Sequence, residues 1–395
     1  MSESEPKRPL RVAIACPGVG LVQRGYERVI DDLYRLVEGA GELDVTLFKG
    51  GGPTTERKKV PFFLPRNGLL LKVFPIHRLV GRRTIHAECM TFALGMLPYL
   101  RGGRFDVVHC IDPPLARILY KLRRLFGMRF RILFTHACSM PPANYPPVDH
   151  LQEVSQVTYD EGLQAGLDAR AMTMLPVGIY PQYFDIASTR QELRRQYGVP
   201  EHTFLILSVA AINRNQKRTD YLIDEAAKLT GDFLLWLDGS LDQGDPDLVD
   251  YAKERLGDRV RVTQVPSAKV GELYRMADIM PHPSAFEAFG LSIVEAATTG
   301  LPVLVHDAPH YRWLLPNREA WVDMFAEGAL ASRLQYLMAH PEALPAIQCR
   351  DSARQRFDWS VLLEQYKRMY ARVAELPETS RGTYGKTNFF WQIHG

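Results

Sequence analysis

Short apolar runs separated by amphipathic stretches recur along this chain, and they constrain its fold more than any other feature of the sequence. Residues 10–16 are almost entirely apolar, which is typical of a parallel strand covered on both faces, and residues 26–37 have the spacing of an amphipathic helix. The same alternation predicts strands at 44–48, 105–110, 130–135 and 173–175, and helices near 84–100, 113–126 and 159–167. Alternating strands and helices predict a doubly wound α/β domain.

A second series of the same kind starts at residue 204. Its predicted strands are 204–209, 233–237, 260–263, 278–280 and 303–305, and its predicted helices lie near 219–229, 246–256, 270–276 and 290–298. A chain of 395 residues also exceeds the size at which one hydrophobic core usually stops growing. The sequence therefore predicts two Rossmann-like domains, residues 1–185 and 186–358, followed by a C-terminal helix and tail, 359–395.

Charge is divided unevenly along the chain. The first 150 residues hold 23 Lys and Arg against 13 Asp and Glu, and the remaining residues hold 25 against 32, so the two parts carry +10 and −7. A basic field attracts an anionic acceptor, a phospholipid surface or nucleic acid without choosing among them, and solubility is an equally good reason for it. Residues 61–83 mix basic and apolar side chains, a pattern that fits either contact with an anionic membrane or a surface loop with its own small core.

The cysteines and the N-terminal residues bear on compartment and metal binding. Five cysteines are scattered without Cys-x-x-Cys spacing, which argues against a disulfide framework and a zinc site. The candidate histidines His109, His136 and His282 have no metal-ligand spacing with one another. The first ten residues are polar, and no apolar run approaches the length of about 18 residues that a membrane span needs. We therefore expect a cytoplasmic protein without a bound metal.

The segment from Ser284 to His306 says most about function. Glu287 is predicted on a loop before helix 290–298, and Glu295 inside that helix. Gly290 has no side chain to keep a ligand away from the free N–H groups of the helix start, which attract phosphate. The two carboxylates supply acceptors suited to sugar hydroxyls. The alternative is a pair of solvated glutamates beside an ordinary helix.

The same segment resembles the Glu-x7-Glu signature of the retaining, family-4 type (group 1) glycosyltransferases with the GT-B fold. The matching residues are Pro283, Ser284, Glu287, Phe289, Gly290, Leu291, Glu295, Ala296, Gly300, Pro302 and Val303. The resemblance implies two Rossmann-like domains facing a central cleft, with the last helix crossing back to the first domain. It also implies a nucleoside-diphosphate sugar as donor, most often a UDP- or GDP-sugar, a hydroxyl acceptor, and no tightly bound cofactor.

Residue roles follow from the same resemblance. Glu287 would contact hydroxyls of the donor sugar and Glu295 the ribose hydroxyls. The backbone at Phe289, Gly290 and Leu291 would contact sugar and phosphate.

A second matching segment, residues 207–223, resembles the family's donor-phosphate loop, and Lys217 matches its lysine. The family has an arginine five or six positions earlier, where this chain has Ile212 and Ala211. Arg214 or Arg218 is then the candidate for the second cation, since two positive charges stabilise a departing diphosphate. The structural alternative is a solvated helix start.

Three further sites are predicted with a structural alternative beside each. His136 follows Thr135 at a strand end, where the family's histidine points toward the donor sugar; a satisfied structural histidine is the alternative. Asp238 and Gly239 follow a strand in the place of a family Gly-x-Gly, so Asp238 is a candidate acceptor from base or ribose. The loop after the first strand contains Gly18, Gly20 and Gly25, which would let its backbone come close to a phosphate or sugar. The alternative is a plain tight turn.

The function predicted from these features is transfer of a sugar from a nucleotide sugar to a hydroxyl acceptor, with retention of configuration. A sugar-nucleotide epimerase of the same architecture is one alternative. A non-catalytic protein that binds a nucleotide or a partner is the other, and the missing arginine favours it. We expect no nucleic-acid partner.

Overall fold

The computed structural model describes residues 8–22, 25–66, 68, 84–343 and 346–377. The chain divides into two compact units: the first unit comprises Met1–Val177 and Leu362–Gly395, and the second unit comprises Gly178–Val361. In the described residues, no helix has both the length and the apolar content needed to cross a bilayer.

The first unit is built on a parallel sheet whose central strands are buried on both faces. Its strands are β1 (Leu10–Cys16), β2 (Leu43–Lys49), β3 (Lys58–Lys59), β4 (Val107–Cys110), β5 (Arg131–His136), β6 (His150–Glu153) and β7 (Met172–Met174). The α-helices of this part of the chain are α1 (Gly25–Gly39), α2 (Thr84–Gly103), α3 (Pro113–Leu125) and α4 (Gln156–Gln164). The sheet order is β3-β2-β1-β4-β5-β6-β7, with parallel pairing throughout. The doubly wound first domain is therefore confirmed.

Strand β6 was not predicted from the sequence. It is completely buried, yet three of its four residues are polar. Each of these polar side chains forms a hydrogen bond to a neighbouring strand or its loop: His150 Nε2 bonds Thr173 Oγ1 at 2.7 Å, Gln152 Nε2 donates to the carbonyl of Leu175 at 2.8 Å, and Glu153 Oε2 bonds His136 Nδ1 at 2.8 Å. Because the hydrogen bonds offset the cost of burying these groups, a strand forms here without an apolar run.

The second unit repeats the alternation. Its strands are β8 (Phe204–Val209), β9 (Phe233–Asp238), β10 (Val260–Thr263), β11 (Met280–His282), β12 (Val303–His306) and β13 (Trp321–Val322). The α-helices from residue 190 onward are α5 (Arg190–Gln196), α6 (Thr219–Ala227), α7 (Leu248–Leu256), α8 (Val270–Met276), α9 (Leu291–Thr299), α10 (Pro309–Leu314), α11 (Ala329–Ala339), α12 (Ala346–Phe357) and α13 (Trp359–Glu375).

A backbone bridge joins the two halves of the second unit's sheet. Strands β10-β9-β8 and β11-β12-β13 each form a three-stranded parallel sheet. Ile206 in β8 bridges Ile279, just before β11, and Leu207 N donates to the carbonyl of Ile279 at 2.9 Å. The resulting order is β10-β9-β8-β11-β12-β13, so the direction of winding reverses between β8 and β11. In open α/β sheets, ligands bind beyond the carboxyl ends of the strands at such a reversal.

The chain enters the second unit at Gly178, earlier than the predicted boundary at 185. Ile179 N donates to the carbonyl of Phe357 at 2.8 Å, and Trp359 N donates to the carbonyl of Ile179 at 3.0 Å. A Cβ atom on Gly178 would lie 2.4 Å from the Trp359 ring, so only glycine allows this approach. These contacts fasten the segment after Val177 to the start of α13.

Helix α13 begins in the second unit and ends in the first. Two of its tyrosines are completely buried in the first unit: Tyr370 OH lies 2.8 Å from His109 Nδ1, and Gln152 Nε2 donates to Tyr366 OH at 2.7 Å. The last helix is therefore part of the core of the first unit.

Candidate functional site

The loops that follow β8 and β11 meet at the winding reversal of the second unit. Ala285 N donates to the carbonyl of Gln216 at 2.9 Å, and Gln216 Nε2 donates to the carbonyl of Phe286 at 3.3 Å. These bonds hold the segment around Lys217 against the segment around Glu287. The structure thus brings together two of the residues that the sequence singled out.

Glu287 is the centre of this site. Its Oε1 atom accepts hydrogen bonds from His282 Nε2 at 2.7 Å, from Ser284 Oγ at 2.8 Å and from Lys217 Nζ. The side chains of Lys217 and Glu287 are only 16% and 10% exposed, so their ion pair is largely shielded from water. His282 directly precedes the Pro283-Ser284 of the matched motif, but a single histidine at a strand end is only weak sequence evidence for a role at the site.

The charge of Glu287 is fixed by its partners. Burial by itself would raise the pKa of this carboxyl, but the hydrogen bonds and charges of His282 and Lys217 outweigh burial and hold the pKa well below its usual range. Burial lowers the pKa of His282, although Glu287 opposes that shift. The site therefore contains a permanent carboxylate beside a lysine, which can accept hydroxyl protons and attract an anionic group.

Lys217 is positioned by a side chain that was not predicted to belong to the site. Asn213 Oδ1 accepts from Lys217 N at 2.8 Å and from Gln216 N at 3.1 Å, which closes the turn before α6. Arg218 then takes a left-handed conformation, with φ 51° and ψ 47°, an uncommon one for a residue other than glycine. Asparagine often bonds to nearby backbone in turns, so its identity was the available signal.

Helix α9 begins beside Glu287. Gly290 caps it with φ 98°, and a Cβ atom there would lie 3.0 Å from Ile293 and 3.1 Å from Leu314. Phe289 is buried and packs edge-on against Phe357, with ring centroids 5.4 Å apart. Its side chain therefore belongs to the core. Ligand contact by the backbone of Phe289, Gly290 and Leu291 stays a prediction.

Glu295 lies inside α9, as predicted, and Gly300 ends that helix with φ 85°. The Glu295 side chain is buried, and its Oε2 accepts from Tyr274 OH at 3.0 Å. Glu287 and Glu295 therefore occupy different environments, one on a loop beside a lysine and the other within a helix beside a tyrosine.

The two candidate arginines are engaged elsewhere in this structure. Arg214 pairs with Asp245 at 3.0 Å and with Asp247 at 2.6 Å, so two carboxylates balance its charge. Arg218 donates to the carbonyl of Met324 at 2.8 Å, and its guanidinium lies 4.3 Å from the Tyr221 ring centroid and 4.5 Å from that of Phe325. Among the described contacts, neither guanidinium bonds to the Lys217–Glu287 pair.

Asp238 and Gly239 have structural roles at the end of β9. Asp238 Oδ1 accepts from Thr263 Oγ1 at 2.7 Å and from Val265 N at 2.9 Å, and burial raises the pKa of Asp238. A Cβ atom on Gly239 would lie 1.9 Å from the carbonyl oxygen of Ala210, so glycine is required there. A contact of Asp238 with base or ribose stays a prediction.

The glycines after β1 make a loop-to-loop contact within the first unit. Gly50 N and Gly51 N donate to the carbonyl of Val19 at 3.0 and 3.1 Å. Gly20 has φ 81°, and a Cβ atom on it would lie 2.3 Å from the carbonyl oxygen of Gly51. Gly18 faces the Glu27 carboxylate, and Gly25 is the first residue of α1. Packing against the loop after β2 thus accounts for Gly20, and phosphate contact by Gly18, Gly20 and Gly25 stays a prediction.

His136 ends β5 and is 3% exposed. Its Nδ1 lies 2.8 Å from Glu153 Oε2 and 2.9 Å from Tyr145 OH. His109, by contrast, is fully buried, bonds Tyr370 and Thr135, and has a pKa that burial lowers to about 3, so it is a structural residue.

Two predicted features fall largely outside the described residues. These are the basic and apolar segment 61–83, of which positions 61–66 and 68 are described, and the tail beyond residue 377. Among the described residues, no group of three His, Cys, Asp or Glu side chains is arranged to hold a metal ion.

Comparison with known proteins finds a family model that matches part of the second unit. Residues 189–356 match the family model of the group 1 glycosyl transferases. The lipopolysaccharide glucosyltransferase WaaG of Escherichia coli is 34% identical over 139 residues, which cover 33% of this chain and 36% of that enzyme. The match thus spans about a third of that relative's length. The predicted family is confirmed over the matched residues, which contain the Lys217–Glu287 site.

Solved structures extend the likeness to nearly the whole chain. A sucrose-phosphate synthase from Thermosynechococcus elongatus has a TM-score of 0.74 at 17% identity, covering 92% of this chain and 99% of that one. The Anabaena protein HepE, solved in complex with UDP and glucose, has a TM-score of 0.71 at 16% identity with the same coverage. The predicted GT-B fold with two Rossmann-like domains is thereby confirmed.

Proposed function

We propose that this chain is a retaining glycosyltransferase that moves a sugar from a nucleoside-diphosphate sugar to a hydroxyl acceptor. The observation that carries the proposal is the shielded pair of Lys217 and Glu287 at the winding reversal of the second unit. A lysine there stabilises the charge that develops on a departing diphosphate, and the adjacent carboxylate accepts hydrogen bonds from sugar hydroxyls.

Each residue of the site has a place in this mechanism. The N–H groups at the start of α9, opened by Gly290, would bind phosphate or sugar oxygens. Glu287 would orient the donor sugar, Lys217 would neutralise the leaving diphosphate, and Glu295 would accept from ribose hydroxyls. Retention rests on the family resemblance: the acceptor attacks from the face that the diphosphate leaves, and the leaving group takes the acceptor proton.

The donor is proposed to be a UDP- or GDP-sugar, bound without a further tightly bound cofactor. The UDP and glucose complex of HepE, a protein of the same fold, supports a uridine nucleotide as the first candidate. Asp238 and the backbone beside Gly239 are the candidate contacts for base or ribose. Arg214 or Arg218 would supply a second cation only after leaving the partners that each has in this structure.

The acceptor is proposed to be a hydroxyl of a glycan, a glycolipid or a small molecule, in cell-surface polysaccharide or glycoconjugate synthesis in the cytoplasm. Peripheral contact with an anionic membrane is part of the proposal. Lys121 and Arg124 are exposed on α3 beside Leu125, which is 73% exposed, so cations surround an apolar residue at the surface of the basic first unit.

A non-catalytic nucleotide-binding protein is the second candidate. Ala211 and Ile212 stand where the family has its arginine, and Arg214 is paired with two aspartates. Without a second cation, a nucleotide would bind and the bond to the sugar would not break.

The test combines binding with turnover. Thermal-shift measurements with UDP, GDP, ADP, TDP and CMP should give a selective rise in melting temperature with one diphosphate; at a hundred times its Kd, a ligand stabilises a protein by about 2.7 kcal/mol. The matching nucleotide sugar should then be hydrolysed slowly by water. Binding without any hydrolysis or transfer would favour the non-catalytic candidate, and no shift with any nucleotide would overturn the proposal.

A further inference from the structure

A carboxylate on the neighbouring strand holds the ring of His136. His136 is the last residue of β5, Glu153 is the last residue of β6, and the two are register partners. His136 Nδ1 lies 2.8 Å from Glu153 Oε2, and the two side chains are 3% and 0% exposed. Because an ionised carboxylate can only accept a hydrogen bond, Nδ1 must carry a proton, and Nδ1–H donates a hydrogen bond to Glu153.

Tyr145 fixes the ring from a second direction. Its hydroxyl lies 2.9 Å from His136 Nδ1, and the two ring centroids are 4.6 Å apart. Since Nδ1 carries a single proton, the Tyr145 hydroxyl contacts it only as a second acceptor beside Glu153. Both contacts lie at Nδ1, and the other nitrogen, Nε2, lies on the opposite side of the ring.

His136 Nε2 is buried and has no hydrogen-bond partner among the described residues. A buried polar atom without a partner costs about 1–3 kcal/mol, so such atoms usually have a ligand or an ordered water to bond. A ring held at Nδ1 and unsatisfied at Nε2 has the arrangement of a side chain prepared for a ligand.

We propose that Glu153 is a positioning residue: it fixes the proton on His136 Nδ1 and keeps the ring positively charged, so that Nε2–H donates a hydrogen bond to a substrate oxygen. This inference rests on the proposed function, since it assigns to His136 a contact with substrate. Nothing in the resemblance points to Glu153, and its strand was not recognised in the sequence.

The electrostatics of the cluster agree with the geometry. Burial lowers the pKa of His136, but the side chain of Cys138, two residues along the chain, and then Glu153 on β6 outweigh burial and raise it to about 9. Tyr145 stays neutral, because burial and the same glutamate raise its pKa. At neutral pH the ring is therefore an imidazolium, and both of its nitrogens are donors.

The first experiment measures the titration of His136 directly. NMR titration of the full-length protein would follow the ring signals, with the His136 signal assigned by its loss in His136→Gln. Glu153→Gln should lower the titration midpoint of His136 by more than one pH unit, because the carboxylate then no longer offsets burial and only Cys138 still opposes it. Glu161→Gln is the matched control, since Glu161 is an exposed carboxylate on α4 that acts on Tyr145, and it should leave the midpoint in place.

A second experiment measures turnover. The kcat/KM of the wild type should fall as pH rises through about 9, where the ring loses its proton. In Glu153→Gln this fall should move to lower pH by the same amount as the His136 titration midpoint. Glu153→Asp, which restores the charge on a shorter side chain, should recover part of the shift and provides a second variant if the glutamine does not fold. Nucleotide-induced thermal shifts should stay unchanged, since a merely unfolded variant would lose them.

The outcomes separate this inference from the proposed function. An unchanged His136 midpoint in Glu153→Gln overturns the positioning role, as does a displaced midpoint with an unchanged pH dependence of turnover. If the protein turns over no nucleotide sugar and the midpoint still moves, the coupling of Glu153 to His136 stands while the substrate contact and the transferase both fail.

Discussion

Lys217, which follows β8, forms an ion pair with Glu287, which follows β11, although 70 residues separate them in the sequence. Their meeting is a result of strand order, because β8 and β11 are neighbours at the winding reversal of the second unit. Substitutions of these two residues therefore show whether the site takes part in catalysis or only stabilises the fold.

Replacing Lys217 by alanine should reduce kcat by about a hundredfold or more, since a cation positioned at a leaving group contributes on that scale. The reduction should appear in donor hydrolysis as well as in transfer, because both reactions expel the diphosphate. Lys253→Ala on α7, an exposed lysine, is the matched control and should be neutral. Equal kcat in Lys217→Ala and the wild type would rule out a role for Lys217 in the chemical step.

Glu287→Gln keeps the shape of the side chain and removes its charge. We expect a loss of stability of about 2 kcal/mol at neutral pH, because Lys217 keeps its charge in a shielded place without its partner. The pKa of Glu287 is held well below its usual value of 4.5, so this stabilisation is fully present above that pH and is lost only as pH falls through the lowered pKa. Melting temperatures of the wild type and the variant should then differ by a constant amount from pH 5.5 to pH 8. A difference that closes within this range would contradict the assignment.

Glu295→Ala should mainly weaken nucleotide binding, by about tenfold or more in Kd, since the loss of a charged hydrogen-bond acceptor has this magnitude. Tyr274→Phe is the control for structural damage, because it removes the hydroxyl that donates to Glu295 and keeps the carboxylate. Calorimetric titration with the nucleoside diphosphate found by the thermal-shift screen measures both. Unchanged affinity in Glu295→Ala would exclude the ribose contact, whatever happened to turnover.

Gly290→Ala should destabilise the protein more than Gly328→Ala. Both glycines cap helices with positive φ, 98° and 79°, so alanine is strained at each by about 1 kcal/mol. Only at Gly290 would the new methyl group also crowd Ile293 and Leu314, whereas no heavy atom lies within 4 Å at Gly328. The free energies of unfolding of the two variants, measured by chemical denaturation, differ by the contribution of this crowding. Equal decreases in the two variants would mean that the start of α9 shifts to accommodate the methyl group.

The strands formed by runs of apolar residues and the amphipathic helices were predicted from the sequence. Strand β6 was not, because His150, Gln152 and Glu153 look polar and become strand residues only through partners on β5, β7 and α13. The start of α4 was predicted too late, although Ser155 is a typical N-cap and accepts from Thr158 N at 3.3 Å.

Motif residues show the same limit at the site. The motif matches predicted Lys217 and Glu287 as separate site residues. That they contact each other could be known only from the order of the strands in the sheet. The engagement of Arg214 with Asp245 and Asp247 depends on a loop between β9 and α7 whose path no motif records. Contacts distant in sequence decide both cases, and one sequence alone does not reveal them.

The course of α13 has a consequence for how the protein is made. Tyr366 and Tyr370 complete the core of the first unit, yet they are synthesised after the whole of the second unit. A ribosome-bound chain that ends before residue 359 therefore lacks the side chains that bond Gln152 and His109. The second unit can finish folding first, and the first unit, although it leads the chain, reaches its final packing only after the last helix has left the exit tunnel.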